Sequence, residues 1–242
     1  MPRRFLCAIF ALVALPGPAA AEEPAAFLPG DLFVYERLRL DGAGTEQART
    51  TVRWQALASD GSGHTIRITE EGAGGGSVSD WVFDRDNNVL YQQLEGCRVV
   101  NETHSGRHAW PMSQGSSWRL DYRIVERCDA TPGQERLVAT CNVEARTVSA
   151  GTWALKGFEN PAIEIARTVA CSDPARPGAV LIRWEKELLC PELAVRCIFE
   201  YDWVLLPPAR ATETIVQAYR DLPELQSYDG RVRETLFDVQ LQ

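Results

Sequence analysis

The chain has 242 residues, a formal net charge of −8, 45% hydrophobic and 24% charged residues. That acidic balance argues against a nucleic-acid partner and against docking on anionic lipid, since both need a positive field. Residues 1–21 have the parts of a secretory signal peptide. Arg3-Arg4 precede an apolar stretch, Phe5–Leu15, that is shorter than the about twenty residues a membrane-spanning helix needs. Pro16-Gly17-Pro18 then break any helix, and Ala19-Ala20-Ala21 fit a cleavage site. Cys7 follows Arg-Phe-Leu rather than the small residues of a lipobox, and Arg3-Arg4-Phe5 only faintly echoes a twin-arginine signal. Cleavage removes two arginines and no acid, so the charge moves from −8 to −10. Nearly all basic residues are arginine; the lysines are Lys156 and Lys186, a bias of GC-rich bacterial genomes. A periplasmic address is expected, with an extracellular one as the alternative, and in a bacterium Asn101-Glu102-Thr103 is a chance sequon.

After the signal the pattern alternates with period two, as half-buried strands do. Leu32, Val34, Leu38 and Leu40 share one face of a first strand, with Phe33, Tyr35, Arg37 and Arg39 on the other. Val52, Trp54, Ala56 and Ala58 alternate with Thr51, Arg53 and Gln55 before a turn at Ser59-Asp60-Gly61. Strands follow around Ile66–Ile68, in a hairpin over Trp81–Gln93, at Trp118–Ile124, to Val148, at Ala162–Cys171, and in a hairpin over Ile182–Leu205. No amphipathic helix of ten residues is evident; the best helical candidate is one turn near Leu222–Ser227. No later run of about eighteen apolar residues offers a transmembrane segment.

Six cysteines remain after cleavage: Cys97, Cys128, Cys141, Cys171, Cys190 and Cys197. An even number in an exported chain predicts disulfides. Placing Cys190 opposite Cys197 in an antiparallel hairpin sets Leu188 against Phe199, Lys186 against Tyr201, Trp184 against Trp203 and Ile182 against Leu205. That register gathers the apolar side chains on one face, and a one-residue slip would part them. The same test suits Cys128 with Cys141 about a turn at Thr131-Pro132-Gly133, leaving Cys97 and Cys171 paired or free.

The order of strands reads as a duplication. The expected divisions are residues 1–21, the signal; 22–96, a first β unit; 97–114, a connecting segment; and 115–242, a second β unit with a C-terminal extension. Gly30-Asp31-Leu32-Phe33-Val34-Tyr35, Trp81-Val82-Phe83-Asp84-Arg85-Asp86, Val148-Ser149-Ala150-Gly151-Thr152-Trp153, and Trp184 through Pro191-Glu192-Leu193 resemble an uncharacterised bacterial periplasmic family of tandem β-sheet units. The resemblance implies an all-β fold: two related antiparallel units forming one curved or elongated sheet, distantly like the half-barrel of lipoprotein carriers, with few or no helices. It implies no activity and no catalytic residue. Lipoprotein carriers close their sheet with helices, which this pattern lacks.

Chemistry-bearing motifs are sparse. His104-Ser-Gly-Arg-His108 has the i, i+4 spacing of metal ligands, with Cys97 or Glu102 as third donor, but serine and glycine between them disfavour a helix. His64 shares a strand face with Ile66 and Ile68 and reads as a partly buried packing histidine. Asp84-Arg-Asp86-Asn-Asn88 with Glu95 echoes a calcium loop, yet Val89 stands where the sharp turn needs glycine, and a hairpin turn accounts for the cluster. There is no Gly-x-Ser-x-Gly elbow and no Cys-x-x-Cys. Glu70-Glu71, Glu185 and Glu187 read as a solvated acidic face, and Gly72–Gly76 as a loop without a phosphate-binding lysine. No catalytic residue, metal site or cofactor is assigned.

Trp118, Tyr122, Trp184, Phe199, Tyr201 and Trp203 are the remaining signal: a core, or the lining of an apolar groove if the sheet is curved and unfilled. The expectation is a non-catalytic periplasmic binding or envelope-assembly protein whose partner is an apolar ligand or an envelope protein met at a sheet edge. The alternatives are a hydrolase using His64 or His104/His108, and a structural envelope protein.

Overall fold

A computed structural model describes residues 25–73, 75–102, 107–108, 110–222 and 231–242. The signal segment, His104 and all but Leu222 of the Leu222–Ser227 helix candidate lie outside the described residues, and Leu222 is not helical.

Twelve strands run in chain order: β1 (Leu32–Leu40), β2 (Glu46–Asp60), β3 (Gly63–Gly72), β4 (Gly75–Asp84), β5 (Val89–Leu94), β6 (Cys97–Glu102), β7 (Ser117–Cys128), β8 (Glu135–Leu155), β9 (Phe158–Ser172), β10 (Val180–Cys190), β11 (Val195–Leu206) and β12 (Arg231–Gln240). Each pairs antiparallel with the next, and β1 also pairs with β12, from Leu32 opposite Gln240 to Leu40 opposite Arg231. The result is a closed up-and-down barrel. This corrects the expected half-barrel of two units: the sheet closes on itself and needs no helix to cover it. The all-β class holds, with one α-helix, α1 (Glu213–Arg220). Six strands come from residues 32–102 and six from residues 117–240.

Closure leaves one face of each strand inside. In β1 this is the Phe33, Tyr35 and Arg37 face, although Val34 on the other face is also buried. Phe33, Tyr35, Val52, Trp54, Ile66, Ile68 and Phe83 form the main core. One end of the barrel is closed. Phe27 packs on Phe33 (ring centroids 5.4 Å apart) and on His64 (4.4 Å), and the backbone N–H of Gln242 donates to Asp31 Oδ1 at 3.0 Å, linking the residues after β12 to the segment before β1. Met112, from the β6–β7 connection, is buried against Ile163, Ile165 and Leu189. The β2–β3 turn at this end requires glycine at Gly63, where a Cβ would lie 2.0 Å from the Phe83 carbonyl oxygen.

The outer face is charged and cross-paired: Arg67 with Asp80 at 2.8 Å, Arg119 with Glu144 at 3.0 Å and Lys186 with Glu164 at 2.8 Å. A barrel that spans a bilayer carries an apolar outer band instead. No helix among the described residues is long and apolar enough to cross a membrane. On this outer face α1 covers β10. Thr212 caps the helix by accepting from the N–H of Ile215, and Ile215, Val216 and Tyr219 pack over Ile182, Trp184 and Leu206.

The six cysteines form three disulfides: Cys97–Cys128, Cys141–Cys171 and Cys190–Cys197. The last is the expected pair. The other two replace Cys128–Cys141. Cys97 lies directly opposite Cys128 across β6–β7, and Cys141 directly opposite Cys171 across β8–β9, whereas Cys141 faces Tyr122 across β7–β8. Disulfides between strands fit a non-cytoplasmic compartment.

The β10–β11 register differs from expectation by one residue. Arg183, not Trp184, faces Trp203, and Glu185 faces Tyr201. A bulge between Leu188 and Leu189 shifts the pairing one residue further, to Cys190 opposite Val195, and leaves Cys197 without a cross-strand partner, so Cys190 and Cys197 bond diagonally and not as direct partners. With period two, that slip changes which side chains face inward.

Candidate functional site

Eight-stranded barrels are about wide enough for side chains alone to fill. Twelve strands leave space, and a cavity of about 540 Å³ lies in the lumen. It falls in the range of ligand pockets, about 300–1,000 Å³. Val78 (64% exposed) and Leu94 (38%) line it near the end opposite the plug, and mark its mouth.

One part of the wall is apolar, with Trp54, Ile68, Trp81, Phe83, Val99 and Ile124. The other carries charges in two clusters. In the first, Glu234 of β12 is buried and shared between Arg37 Nε (2.6 Å) and Arg196 (2.7 Å), and Arg37 reaches Glu70 at 2.8 Å. The Arg196 guanidinium lies 4.3 Å from the centroid of Phe199 and 4.8 Å from that of Trp54. In the second, Glu185 of β10 sits opposite Arg167 of β9. It accepts from Arg107 at 3.1 Å and pairs with Arg183 at 2.5 Å, while Arg167 also pairs with Glu187. His108 Nε2 lies 3.4 Å from Glu187.

The electrostatics follow from this crowding. Burial pushes the Glu185 carboxyl up, but Arg183, Arg107 and Arg167 outweigh it and hold the group at about 2. Burial likewise opposes ionisation of Glu187 and Glu234, and their arginines again win, Arg167 for the first and Arg196 with Arg37 for the second. His108 moves the other way: burial lowers it, Glu187 resists, and Arg167 and Arg107 add to the lowering. The lumen thus holds ionised glutamates beside a histidine held toward its neutral form.

The aromatic groove expected from sequence is not assembled as one surface. Tyr122, Phe199 and Tyr201 line the cavity. Trp203 packs beside Tyr201, ring centroids 5.9 Å apart and tilted, and Trp118 packs with Met112 and the β8–β9 core. Trp184 points out of the barrel and lies under α1, 6.2 Å from the Tyr219 ring. The acidic face is also corrected: Glu185 and Glu187 are 3% and 4% exposed, inside the barrel rather than in solvent.

His64 sits in the closed end, stacked on Phe83 at 5.4 Å and packed on Phe27. Burial lowers its pKa to about 4, against the pull of Asp84. His108 lies in the lumen, with Arg107, rather than on an exposed loop. The Asp84–Asn88 segment is a tight turn in which Asp84 Oδ1 accepts the backbone N–H of Asp86 (2.9 Å) and Asn88 (2.8 Å). Among the described residues one group of Cys, His and acids is close enough to hold an ion, Cys97, Glu126 and Cys128, and its two sulfurs are joined in a disulfide.

The residues that sequence reasoning missed are Arg37, Arg183, Arg196, Arg167 and Glu234. The usable signal was charge at i, i+2 spacing on one strand face, as in Arg183, Glu185 and Glu187.

No protein-family model matches the chain, and no curated protein matches it. Among solved structures it is similar in shape to an exported protein with a YmcC-like fold from Bacteroides fragilis (10% identity, 92% of this chain and 100% of that one, TM-score 0.47). It is also similar to the lipoprotein YmcC from Escherichia coli (11% identity, 87% and 85%, TM-score 0.41). A third is a lipoprotein from Parabacteroides distasonis (8% identity, 91% and 99%, TM-score 0.48).

Proposed function

We propose that this is a non-catalytic, exported binding protein of the periplasm that holds a small ligand in the lumen of its barrel. The observation that carries the reading is the 540 Å³ cavity, plugged at one end, open at the other and lined by aromatic and arginine side chains. Pockets of this size with an apolar wall and a few convergent polar groups are the usual form of a ligand site. A partner met through an exposed sheet edge loses its basis, because β1 and β12 pair and the barrel has no edge.

The test uses the mature chain and the neutral fluorescent dye Nile red, together with native mass spectrometry after gentle purification from the periplasm. One dye per protein should bind with a blue-shifted emission, and Val99→Trp, which fills the cavity from within, should abolish binding while circular dichroism stays the same. A ligand-free monomer that takes up no dye, or dye binding indifferent to the filled cavity, would refute the reading and favour a purely structural envelope role.

A further inference from the structure

We infer that the ligand is a monoanionic amphiphile whose single acidic head, a carboxylate or a phosphodiester, is received by Arg37, Arg183 and Arg196 beside Tyr201, with its apolar body along the Trp81 and Ile124 side of the lumen. This rests on the reading that the lumen binds a ligand, and adds its chemical class.

The first argument is charge. Among the described residues, four arginines line the cavity (Arg37, Arg107, Arg183, Arg196) against three glutamates (Glu70, Glu187, Glu234). Arg167 and Glu185, in contact with these, add one charge of each sign, and His108 is held toward neutrality. The lumen therefore carries one cation more than its carboxylates neutralise, inside a chain whose net charge is −8. Each arginine has a carboxylate, but Glu234 is shared by two of them and Glu185 by three, and one bound anion supplies the missing counter-charge. A neutral apolar molecule leaves the excess in place, and a dianion is repelled by Glu70 and Glu234.

The second argument is hydrogen bonding. Trp54 Nε1, Arg183 Nε and Arg196 Nε are buried and have no hydrogen-bond partner among the described residues. All three belong to cavity-lining residues and are donors, so an acceptor would satisfy them; the other unpartnered buried atoms of lining residues, Asn87 Oδ1, His64 Nε2 and His108 Nδ1, belong to residues at the closed end. Carboxylate and phosphodiester oxygens accept several such bonds at once, and bonds to arginine are the stronger kind.

The third is convergence. The guanidinium of Arg183 lies 5.7 Å from the centre of the Tyr201 ring, Tyr201 lies 5.5 Å from Phe199, the Arg196 guanidinium lies 4.3 Å from Phe199, and Arg196 shares Glu234 with Arg37. Arg37 and Arg183 keep 26% and 33% of their side-chain surface accessible, so the cluster is open to the cavity. Two of the glutamates that hold it are far less accessible, Glu234 at 2% and Glu185 at 0%, while Glu70, paired with Arg37, stays open at 33% and borders the head-group site.

The experiment compares three probes of similar chain length by calorimetry on the mature protein at neutral pH: dodecanoate, lauroyl lysophosphatidylglycerol and 1-dodecanol. At least one anionic probe should bind about ten- to a hundredfold tighter than dodecanol, the range for one charge-assisted hydrogen bond. Arg183→Gln should narrow that gap by about tenfold. The preferred anion then tells a free carboxylate from a lipid phosphodiester. Dodecanol binding as tightly as both anions would overturn the anion inference and leave lumen binding standing. Failure of all three probes together with Nile red would overturn the lumen reading itself. Because the main comparison uses the unaltered protein, it does not depend on the variant folding.

Discussion

Glu187→Gln is the sharpest test of the lumen network. The amide is isosteric and keeps one acceptor oxygen for Arg167, so the change is electrostatic. Arg167 has a fully buried side chain, and its other carboxylate, Glu185 at 3.8 Å, is already shared with Arg107 and Arg183. The excess of lumen cations thus rises from one to two. Removing one partner of a buried ion pair costs about 3–5 kcal/mol, and retention of a hydrogen bond places this variant near the lower figure. For a chain of this length each kcal/mol moves Tm by about 2–4 °C, so a fall of about 6–12 °C is expected at pH 7. The pH dependence has a defined sign. Burial raises the Glu187 carboxyl, but Arg167 and His108 hold it well below its ordinary value. A depressed carboxyl contributes stability above its unfolded pKa, about 4.3, and loses it as pH falls from there. The gap between wild type and variant should be full at neutral pH and shrink below about pH 4. Thermal and guanidinium unfolding with the disulfides intact reads both effects. Asp80→Asn, which removes the outer-face partner of Arg67, is the control and should change little. Equal effects from the two variants would show that the lumen pairs are as solvated as the surface ones, and the electrostatic account would fall.

Three further outcomes follow from other parts of the barrel. His64, at about 4 against an unfolded value near 6.5, should contribute roughly 3 kcal/mol that is present above pH 6.5 and lost between 6.5 and 4. His64→Phe should flatten that part of the stability curve, with the share due to His108 remaining, and an unchanged slope would contradict the burial. Non-reducing peptide mapping should find Cys97 with Cys128 and Cys141 with Cys171. Replacing the second pair by serines should cost about 3–4 kcal/mol, on a chain-entropy model with a sequence separation of 30; a Cys128–Cys141 peptide would break the β6–β9 register. Trp184→Ala should cost about 3 kcal/mol and free α1, read as faster tryptic cleavage after Arg220, with binding in the lumen retained.

Strand existence was legible because period two is a local property, and Phe33–Tyr35, Val52–Ala56 and Trp118–Ile124 display it over enough residues. Closure was not, since nothing in β1 or β12 alone states that they meet across about two hundred residues. The misreading of β10 is the most instructive. In Arg183-Trp184-Glu185-Lys186-Glu187 two faces alternate, and the face with the aromatic ring reads as core. That rule fails here for two physical reasons. A wide lumen lets charges pair inside, and α1 gives the outward Trp184 an apolar cover of its own. The bulge at Leu188/Leu189 then hid the slip, because it allowed the expected Cys190–Cys197 bond to form from the shifted register. A correct disulfide was therefore compatible with an inverted strand face.

The buried arginines and glutamates raise a question of what keeps the lumen open. Packing alone would favour filling it, since replacing buried ion pairs by apolar side chains of similar volume is often neutral or stabilising. An apolar lumen of the same width would gain by collapsing or by admitting long apolar side chains from its walls. Charges resist both. Arg37 and Arg196 are anchored by Glu234 on the strand next to each, β12, and Arg183 by Glu185 on its own strand, so each guanidinium is held at the wall and not across the cavity. Glu234 and Glu185 are the less accessible partners of their arginines, which leaves those cationic edges toward the open space, with Glu70 the one accessible carboxylate beside Arg37. The lumen is then wide because twelve strands make it so, polar on one side because its ion pairs run between strands, and cationic by one charge because the carboxylates fall one short. Those three properties have separate structural causes, and together they describe a cavity whose missing component is a single acceptor-rich negative group.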